Sequence, residues 1–436
     1  MSETGRRPET APLSARAAAL AVLTRVRMKA AWPDAALRAA ARDVPARDFP
    51  LCARLVYTVL QNRLLLDAWI ARHSSLRLNK LEPAVLDALR LGICQLKLMD
   101  GIPARAAIFE TVELVKSKAG GRATGLCNAV LRAVERDTTD IAPETCDVQS
   151  LSLRLSHPAW LVEKLSARYG AAETERLLLL NNTPPPLTVH VNPLRTSPEE
   201  VLAAFASLGA EAEPAAGVSG CLRVSYQGDL TRTALWTNGC ILLADPAARI
   251  VVDRLAPRPG ERILDCCAAP GGKAFLSAFA AQGKCRITAL DVHEHKIRRL
   301  REESRRLGLE NCVTAEVEDA RSFQNEAGFD AVLADTPCSG TGVIRKRPDI
   351  RYKDPETLLQ LPALQQSILA GAARSVRPGG RLMYATCSLL PDENEHVTTA
   401  FLAENPCFSL SEQQILWPPE SGTDGFYYAL MEKSHE

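Results

Sequence analysis

The chain has 436 residues, of which 46% are hydrophobic and 24% are charged. This length exceeds what one compact core usually holds, so we expect two or three domains. The composition is that of a globular protein and excludes disordered, collagen-like and coiled-coil classes. The net charge of +1 argues by itself against a nucleic-acid-binding protein, because such domains are usually strongly basic.

The charge is unevenly distributed along the chain. Residues 1–150 carry 22 Lys and Arg against 16 Asp and Glu, an excess of six positive charges. The remaining 286 residues carry 30 against 35, an excess of five negative charges. The near-neutral total therefore hides a basic amino-terminal region, and whole-chain charge does not exclude a nucleic-acid partner.

The 13 cysteines are odd in number and form no CxxC pair or Cys/His cluster, so the sequence predicts neither a disulfide framework nor a metal site. The first ten residues contain Glu3 and Glu9, which fits neither a signal peptide nor a transit peptide. No window reaches the roughly eighteen apolar residues of a membrane span. We therefore expect a cytoplasmic protein with reduced thiols and no membrane contact.

Apolar residues recur at helical spacing from residue 14 to about residue 137, without strand alternation. Ser14 is a candidate N-cap for the first helix, which would bury Leu20, Leu23 and Val26 on one face. The region is therefore predicted to be an all-α bundle.

A helical connector is predicted over residues 150–187. After it, LTVHVN and CLRVSY resemble strands, and SPEEVLAAFASLG resembles a capped helix that ends at Gly209. These segments predict a small α+β subdomain that reaches residue 235.

Apolar strands alternate with helices from residue 239, which is the pattern of a doubly wound parallel sheet. The strand candidates are RILDCC, RITALDV, CVTAEV, DAVLADT and RLMYATC. The sequence thus predicts a helical domain over residues 1–150, a connector with a small α+β subdomain over residues 151–235, and a Rossmann-like α/β domain over residues 236–436. In such a sheet, ligands bind at the carboxyl ends of the strands.

The segment ILDCCAAPGGK, residues 263–273, is typical of a strand, a turn and the start of a helix. Gly271 and Gly272 would let backbone N–H groups approach a ligand, and a helix that starts near Lys273 would direct its positive end at an anion. A turn with glycines for geometry alone explains the segment equally well. The segment is neither a GxGxxG nor a Walker loop, so it does not indicate the phosphates of a dinucleotide or of ATP.

Two carboxylates at the next strand ends favour a cofactor site. Asp291 closes TALDV, where it could accept hydrogen bonds from ribose hydroxyls, and Asp319 closes the following strand, where it would lie near an adenine edge. Together with the turn at residues 263–273, these positions suit S-adenosylmethionine, whose carboxylate would lie at the helix N-terminus.

Two cysteines follow two further strands. Asp335 and Cys338 lie in DTPCSGTG after DAVLA, and Cys387 lies in ATCSLLPDENE after RLMY. A single cysteine among 13 is usually a small buried apolar residue. Two of them in Pro-Cys-Ser and Thr-Cys-Ser contexts, beside a methyl-donor site, indicate chemistry, and a cysteine near a helix N-terminus can act as a thiolate.

A methyltransferase needs a thiolate when its target is carbon 5 of cytosine, which is too weakly nucleophilic to attack a sulfonium methyl group. Addition of a thiolate to carbon 6 makes carbon 5 nucleophilic and splits one hard step into two easier ones. The addition also needs a proton or hydrogen bond at ring nitrogen 3, a role for an acid such as Asp335. Attack on the face of the ring implies an unstacked base.

The motifs CCAAPGGK, DTPCSG, YATCS and PDENE resemble those of the NOL/NOP/Sun family of RNA (cytosine-5) methyltransferases over about residues 236–436. The resemblance implies that Cys387 attacks carbon 6, that Cys338 promotes release of the product, and that Asp335 touches the cytosine. It assigns to the cofactor side Cys267, Ala268, Ala269, Pro270, Gly271, Gly272, Lys273, Asp291, Asp319 and Asp335.

The amino-terminal segments RLVYTVLQNRLLLDAWI, LRLGICQLKLMDGIPARAAIFETVELVK and GLCNAVLR are similar to the NusB-like RNA-binding domain of the bacterial RsmB/Sun subfamily. This resemblance implies a 16S rRNA substrate, either naked or within a partly assembled small subunit, and we expect a monomer. Four residues depart from the family pattern: Thr336 stands where Ala is usual, His190 where Arg is common, Ala244 where Gln is frequent, and Ala248 where Ser is frequent.

Two basic stretches differ in their expected roles. RKRPDIRYK, residues 345–353, is predicted to contact RNA phosphates, whereas HKIRRLREESRRLG is interleaved with acids and predicts a solvated helix face. Aromatic residues make up only 5% of the chain, so we expect shape and phosphate contacts rather than base stacking.

Two other functions remain open from the sequence. A tRNA methyltransferase would use the same chemistry, and the amino-terminal helical domain argues against it. A non-catalytic RNA-binding assembly factor would not need both Cys338 and Cys387. DNA cytosine methylation is a third possibility, but it usually presents one essential cysteine in a different Pro-Cys context.

Overall fold

The computed structural model describes residues 13–29, 32–119 and 121–435. Contacts between residues divide the chain into two compact units. The first unit extends to Asn182 and also contains Arg347–Tyr352. The second unit contains Thr183–Lys346 and the residues from Lys353 onward.

The first unit is built from helices, as the apolar spacing predicts. The hydroxyl oxygen of Ser14 accepts a hydrogen bond from the Ala17 N–H at 3.2 Å, which confirms the predicted N-cap. Leu20 and Leu23 are buried, and Val26 packs against the same core. The helices are α1 (Ala15–Lys29), α2 (Pro33–Ala40), α3 (Phe49–Gln61), α4 (Arg63–His73), α5 (Pro83–Lys97), α6 (Ala104–Ala119), α7 (Gly121–Arg136), α8 (Val148–Arg154), α9 (Ala159–Tyr169) and α10 (Ala171–Asn181).

A charged network lies inside this helical core. The Asp87 carboxylate, on α5, accepts hydrogen bonds from Arg27 at 3.0 Å and from Arg90 at 3.0 Å. Arg90 also donates to Asp67 on α4, at 2.7 and 2.8 Å. Both Asp87 and Arg90 are buried, so each charge depends on its partners in place of water.

Residues of the basic stretch 345–353 form hydrogen bonds with other groups of the protein. Arg351 has no exposed surface and donates to the backbone oxygens of Gln61 and Ser156 and to the side-chain oxygen of Asn182. Burial lowers the pKa of Arg351 to about 10. The prediction that the whole stretch contacts RNA phosphates is therefore wrong for Arg351, because its guanidinium is enclosed by protein acceptors.

Other cations of the stretch also form ion pairs or hydrogen bonds within the protein. Arg347 pairs with Asp349 at 2.8 Å. In the second unit, Arg345 donates to the Pro184 oxygen at 2.7 Å, and Lys353 donates to the Ser339 oxygen at 2.9 Å. Residues 345–353 therefore mainly make contacts within the protein.

The second unit begins with a small antiparallel sheet in the strand order β2-β3-β1-β4. Its elements are β1 (Leu187–Val191), α11 (Pro198–Ser207), β2 (Glu211–Pro214), β3 (Cys221–Ser225), α12 (Ala234–Thr237) and β4 (Ile241–Leu243). The two predicted strands and the predicted helix are confirmed as β1, β3 and α11. Ser197 and Glu200 form a capping box at the start of α11, which explains why the sequence signal there is strong. Strands β2 and β4 were not predicted.

A larger sheet of seven strands follows in the order β10-β11-β9-β8-β5-β6-β7. Its elements are α13 (Pro246–Leu255), β5 (Arg262–Asp265), α14 (Gly272–Ala280), β6 (Arg286–Asp291), α15 (Glu294–Leu307), β7 (Val313–Val317), β8 (Phe329–Asp335), α16 (Pro355–Leu358), α17 (Leu361–Arg374), β9 (Val376–Thr386), α18 (Glu395–Glu404), β10 (Phe408–Leu416), α19 (Pro418–Ser421) and β11 (Phe426–Lys433).

The five predicted strands are confirmed as β5 to β9, which pair in parallel. Strand β11 differs from the expected parallel sheet, because it pairs antiparallel with both β9 and β10. Successive residues of the central strands enter two separate cores: Ile263 packs into one and Leu264 into the other. Both faces of the sheet are therefore covered, which explains the continuous apolar runs of these strands.

Helix α15 confirms the expectation of a solvated face. Its Ile297, Leu300 and Leu307 are buried against the sheet, and most of its charged residues are exposed. Within the described ranges, none of the helices combines the length and the apolar character needed to cross a membrane.

The charged network of the helical core gives a test of stability. We expect Asp87→Ala to lower the free energy of unfolding of the helical unit by about 3 kcal/mol, because it removes the buried carboxylate that Arg27 and Arg90 share and leaves Arg90 with Asp67 alone. Hydrogen exchange of α5 amides in the full-length chain measures this change. The matched control is Glu113→Ala, which removes an exposed pair with Lys116 and is expected to cost under about 1 kcal/mol. Equal protection of α5 in both variants would contradict the account.

Candidate active site

Side chains from five strand ends meet at one edge of the large sheet. The run Cys267–Lys273 follows β5, Asp291 ends β6, and Asp319 comes soon after β7. Asp335 ends β8 and Cys387 follows β9. Because β5 to β9 are parallel, their carboxyl ends lie at the same edge.

The two thiols predicted to react lie in contact. The sulfur atoms of Cys338 and Cys387 are 2.9 Å apart, and both residues are partly exposed. Their loops follow the neighbouring strands β8 and β9. The Gly342 N–H also donates to the Cys387 backbone oxygen at 2.9 Å, so the two loops are joined by backbone as well as by sulfur.

The contact between the sulfurs raises the pKa of one thiol. The pKa of Cys338 lies well above its ordinary value, first because of the hydrogen bond with Cys387 and then because of partial burial. Either sulfur can donate in this contact, and the raised pKa favours the protonated form of Cys338.

An ion pair lies beside the Cys387 sulfur. The Lys273 ammonium donates to the Asp335 carboxylate at 2.6 Å. Burial alone would lower the pKa of Lys273, but the charges of Asp335 and Cys387 raise it above its ordinary value. The ammonium therefore stays charged between a carboxylate and a thiol. The sequence placed both Lys273 and Asp335 on the cofactor side, and the structure brings the two into contact.

The turn before α14 requires glycine at one position. Gly271 has φ of +111°, a left-handed conformation that L side chains rarely adopt. An added Cβ would also meet the ring of Phe275. Helix α14 starts at the next residue, so its free N–H groups and positive end face the edge where the strands end.

A cavity of about 320 Å³ opens beside this turn. Its lining includes Cys267, Asp291 and Asp319, together with the apolar side chains of Leu364 and Ile368. The two predicted carboxylates thus share one cavity with one residue of the turn. The cavity combines an apolar wall with two acceptors, which is the usual character of a site for a small organic ligand.

Both cavity carboxylates already have partners. Asp291 accepts from the backbone N–H of His293 at 2.9 Å and lies 3.6 Å from the Lys296 ammonium. Asp319 is paired with Arg321 at 2.6 Å, and this hydrogen bond lowers the pKa of Asp319. Both groups are therefore held in place as acceptors.

Sequence reasoning missed a third acidic residue, Asp265, at the end of β5. It is 2% exposed, and its Oδ1 has no hydrogen-bond partner among the residues that the structure describes. Burial raises the pKa of Asp265 to about 7, and the nearby Asp335 adds to the effect. The available signal was its position directly before the predicted turn, in ILDCC.

A second acidic residue missed from the sequence is Glu393 in the PDENE motif. Its carboxylate is 2% exposed and accepts hydrogen bonds from the loops of both thiols. The motif itself was a signal, but the role of this residue depends on contacts that sequence alone does not give.

The four departures from the family pattern are buried or make contacts within the protein, and Ala248 is among the buried ones. His190 is buried, which lowers its pKa to about 4, so its ring is neutral near pH 7. The Ala244 oxygen accepts from the Thr188 hydroxyl at 2.8 Å. Thr336 is buried beside the thiol loop. Across residues 13–29, 32–119 and 121–435, no cluster of three His, Cys, Asp or Glu residues is arranged to hold a metal ion.

Comparison with known families matches three parts of the chain. A family described as 16S rRNA methyltransferase RsmB/F matches residues 252–432. The NusB family matches residues 13–136, and a ferredoxin-like domain of RsmF/B-like methyltransferases matches residues 157–231. These matches confirm the predicted NusB-like bundle, the α+β part and the methyltransferase fold.

Individual proteins resemble the chain over almost its whole length. A probable ribosomal RNA small subunit methyltransferase B of Bacillus subtilis is 34% identical, over 96% of this chain and 99% of that protein. Ribosomal RNA small subunit methyltransferase B of Vibrio cholerae is 34% identical, over 92% of this chain and 93% of that protein. The crystal structure of a protein named PH0851 has a TM-score of 0.84 at 26% identity, over 97% of this chain and 99% of that one.

The raised pKa of Asp265 predicts a pH dependence of stability. The folded carboxyl keeps its proton up to about pH 7, whereas the unfolded one loses it near pH 4. Between these values the unfolded state binds fewer protons, so stability falls as pH rises and stays low above pH 7.

We expect Asp265→Asn to remove this loss. Its free energy of unfolding should exceed that of the wild type at pH 8 by about 4 kcal/mol and match it near pH 4, since one unit of pKa difference is worth about 1.4 kcal/mol. Urea unfolding from pH 4 to 8.5 measures the difference. Parallel pH profiles for the two proteins would show that the Asp265 carboxyl titrates normally.

Proposed function

The chain belongs to the RsmB/F family of 16S rRNA methyltransferases, and from that premise we propose that it methylates carbon 5 of a cytosine in 16S rRNA. The methyl donor is S-adenosylmethionine, and the reaction passes through a covalent adduct of Cys387 with carbon 6. The observation that carries the proposal is the contact of two thiols at 2.9 Å beside the Lys273–Asp335 ion pair. A methyl transfer to a nucleophilic oxygen or nitrogen would need neither thiol.

The residues at the sheet edge fit this cofactor. The cavity beside the turn offers an apolar wall for an adenine and the carboxylates of Asp291 and Asp319 for hydroxyl and amino donors. The N-terminus of α14 suits a carboxylate, and the buried free oxygen of Asp265 suits an ammonium group. When bound, S-adenosylmethionine supplies an electrophilic methyl group on a sulfonium.

Addition to the ring begins at Cys387. Its sulfur can accept a hydrogen bond from Cys338 and interacts electrostatically with the Lys273 ammonium, so a thiolate there would be stabilised from two sides. As the sulfur bonds to carbon 6, electron density moves toward ring nitrogen 3. The Lys273–Asp335 pair, joined at 2.6 Å, holds one proton that is donated toward that nitrogen.

Release requires a base for the proton that carbon 5 carries after methylation. Cys338 lies 2.9 Å from the attacking sulfur, so it faces the same edge of the ring as the new carbon–sulfur bond. The Cys338 thiol first releases its own proton to solvent; as a thiolate it takes the carbon 5 proton, the double bond between carbons 5 and 6 re-forms, ring nitrogen 3 returns its proton to the Lys273–Asp335 pair, and the Cys387 thiolate leaves. The two cysteines thus divide addition from elimination.

The RNA partner follows from the family and the charge pattern. The relatives are named for the ribosomal small subunit, and the amino-terminal region carries an excess of six positive charges, which suits RNA phosphates. We therefore propose that residues 1–150 dock 16S rRNA, residues 151–235 connect, and residues 236–436 catalyse. The proposed setting is a cytoplasmic monomer that acts on rRNA, naked or in a partly assembled small subunit.

Substitution of the two cysteines separates their roles. We expect Cys387→Ala to lower single-turnover methyl transfer by about 10³-fold or more, since the nucleophile is lost, while RNA affinity is retained. Cys338→Ala is expected to form the adduct and fail to resolve it, because no base removes the carbon 5 proton. The adduct is measured as a protein band shifted by covalently bound RNA on a denaturing gel.

The matched control is Cys407→Ala, which removes an exposed thiol of the same unit and should leave both transfer and gel mobility unchanged. Absence of any shifted band with Cys338→Ala, in a preparation that still binds rRNA, would contradict the division of roles.

A deletion strain tests the substrate. Bisulfite sequencing of its rRNA and tRNA is expected to show one unmodified cytosine in 16S rRNA, restored by the wild-type chain and not by Cys387→Ala. Loss of a modification in tRNA instead would make the chain a tRNA methyltransferase. Transfer of labelled methyl groups to deproteinised 16S rRNA and to assembled subunits then identifies the substrate form.

A further inference from the structure

A buried carboxylate with no part in the proposed reaction joins the two thiol loops. Glu393 Oε2 accepts the backbone N–H of Ser339 at 2.7 Å, and its Oε1 accepts the hydroxyl of Ser388 at 2.7 Å. Ser339 directly follows Cys338 and Ser388 directly follows Cys387. One carboxylate therefore contacts the neighbour of each thiol.

The surroundings of Glu393 fix this carboxylate in one position. Gln365 donates to Glu393 Oε2 at 3.0 Å and, through the same nitrogen, to the Pro337 oxygen at 3.0 Å. The Tyr384 hydroxyl donates to the backbone oxygen of Glu393 at 2.6 Å. In the described part of the chain no cation forms an ion pair with Glu393. A buried charge held only by neutral donors depends strongly on each of them.

Buried hydroxyl groups extend the same link between the loops. The hydroxyls of Ser339 and Ser388 are 3.1 Å apart, and the Thr341 hydroxyl lies 3.3 Å from that of Ser388. The Leu389 N–H donates to the Thr341 hydroxyl at 2.8 Å. Contacts between the residues that follow each cysteine thus form one network, in which Glu393 supplies the carboxylate and the Lys353 ammonium donates to the Ser339 oxygen.

We propose that Glu393 is a positioning residue that holds the Cys338 and Cys387 loops together and so fixes the distance between the two sulfurs. Its consequence for catalysis rests on the proposed function, because both thiols must reach adjacent carbons of one ring. The distance itself can be measured without RNA or cofactor. The charge of Glu393 also helps, after the contact with Cys387 and burial, to keep the pKa of Cys338 raised.

Two substitutions distinguish the effect of the Glu393 hydrogen bonds from the effect of its charge. In Glu393→Gln, the amide oxygen can accept the Ser339 N–H and the amide nitrogen can donate to the Ser388 hydroxyl, so both links survive without the charge. In Glu393→Ala, both links are lost. A positioning role therefore predicts that the Gln variant keeps the thiols together and that the Ala variant separates them.

The experiment measures how readily the two thiols form a disulfide in the full-length chain. In a buffer of reduced and oxidised glutathione, one thiolate attacks the glutathione disulfide and releases one glutathione, and the second thiol displaces the other. The protein loses two electrons and two protons, and the oxidised glutathione becomes two thiols. Mass analysis of the peptide pair that contains Cys338 and Cys387 gives the equilibrium constant, which is the effective concentration of the two thiols.

We expect Glu393→Ala to lower this effective concentration about tenfold or more relative to the wild type, because hydrogen bonds to a charged group are lost, and Glu393→Gln to stay within about threefold of it. The Gln variant should also react with a thiol-alkylating reagent at Cys338 at lower pH than the wild type, since a negative charge is removed. The matched control is Glu261→Ala, which removes a carboxylate bound to Arg381 at the opposite end of β5.

Each outcome of the disulfide measurement either supports the positioning role of Glu393 or overturns it. A folded Glu393→Ala chain with the wild-type effective concentration would overturn it, as would a wild-type chain that forms no Cys338–Cys387 disulfide. If the Ala variant does not fold, Ser388→Ala, which breaks one link, replaces it under the same criterion. A lowered value together with failure of methyl transfer in the wild type would leave the positioning role standing and reject the proposed function.

Discussion

The contact between the Cys338 and Cys387 sulfurs, at 2.9 Å, is the constraint on which the chemistry of this molecule depends. It arises because β8 and β9 are neighbouring parallel strands, so the loops that follow them leave the sheet at one edge. When two thiols share one proton, one sulfur becomes the better nucleophile, and the other can donate or accept a proton. In the proposed reaction, one geometric feature therefore supplies the groups for both addition and elimination.

The carboxylates near this contact differ in their electrostatic environments. Lys273 and Asp335 form a pair at 2.6 Å next to the thiols, whereas Asp265, deeper in the sheet, has a pKa raised to about 7 by burial. Glu393, bonded to both thiol loops, accepts hydrogen bonds from neutral donors. Each carboxylate thus has a different environment, and the environment rather than the residue type decides its role.

Local patterns in the sequence predicted the five parallel strands, the first helix cap and the shared edge for both thiols, because these depend on apolar runs and on turn residues. Burial depends on distant partners and was not predictable. The run at residues 345–353 is typical of a solvated basic stretch, yet Arg351 is enclosed by acceptors from Gln61 and Asn182. Asp265 and Glu393 were not predicted for the same reason, since the role of a carboxylate depends on the groups that surround it in the fold.

The most direct measurement of the central claim is to identify the sulfur that bonds to the base. Ribosomal RNA that contains 5-fluorocytosine cannot lose its carbon 5 substituent as a proton, so the adduct with the wild-type chain persists. Digestion and mass spectrometry of the linked peptide are predicted to place the cytosine on Cys387. A linkage through Cys338, or methylation of this RNA with no linked peptide, would contradict the account.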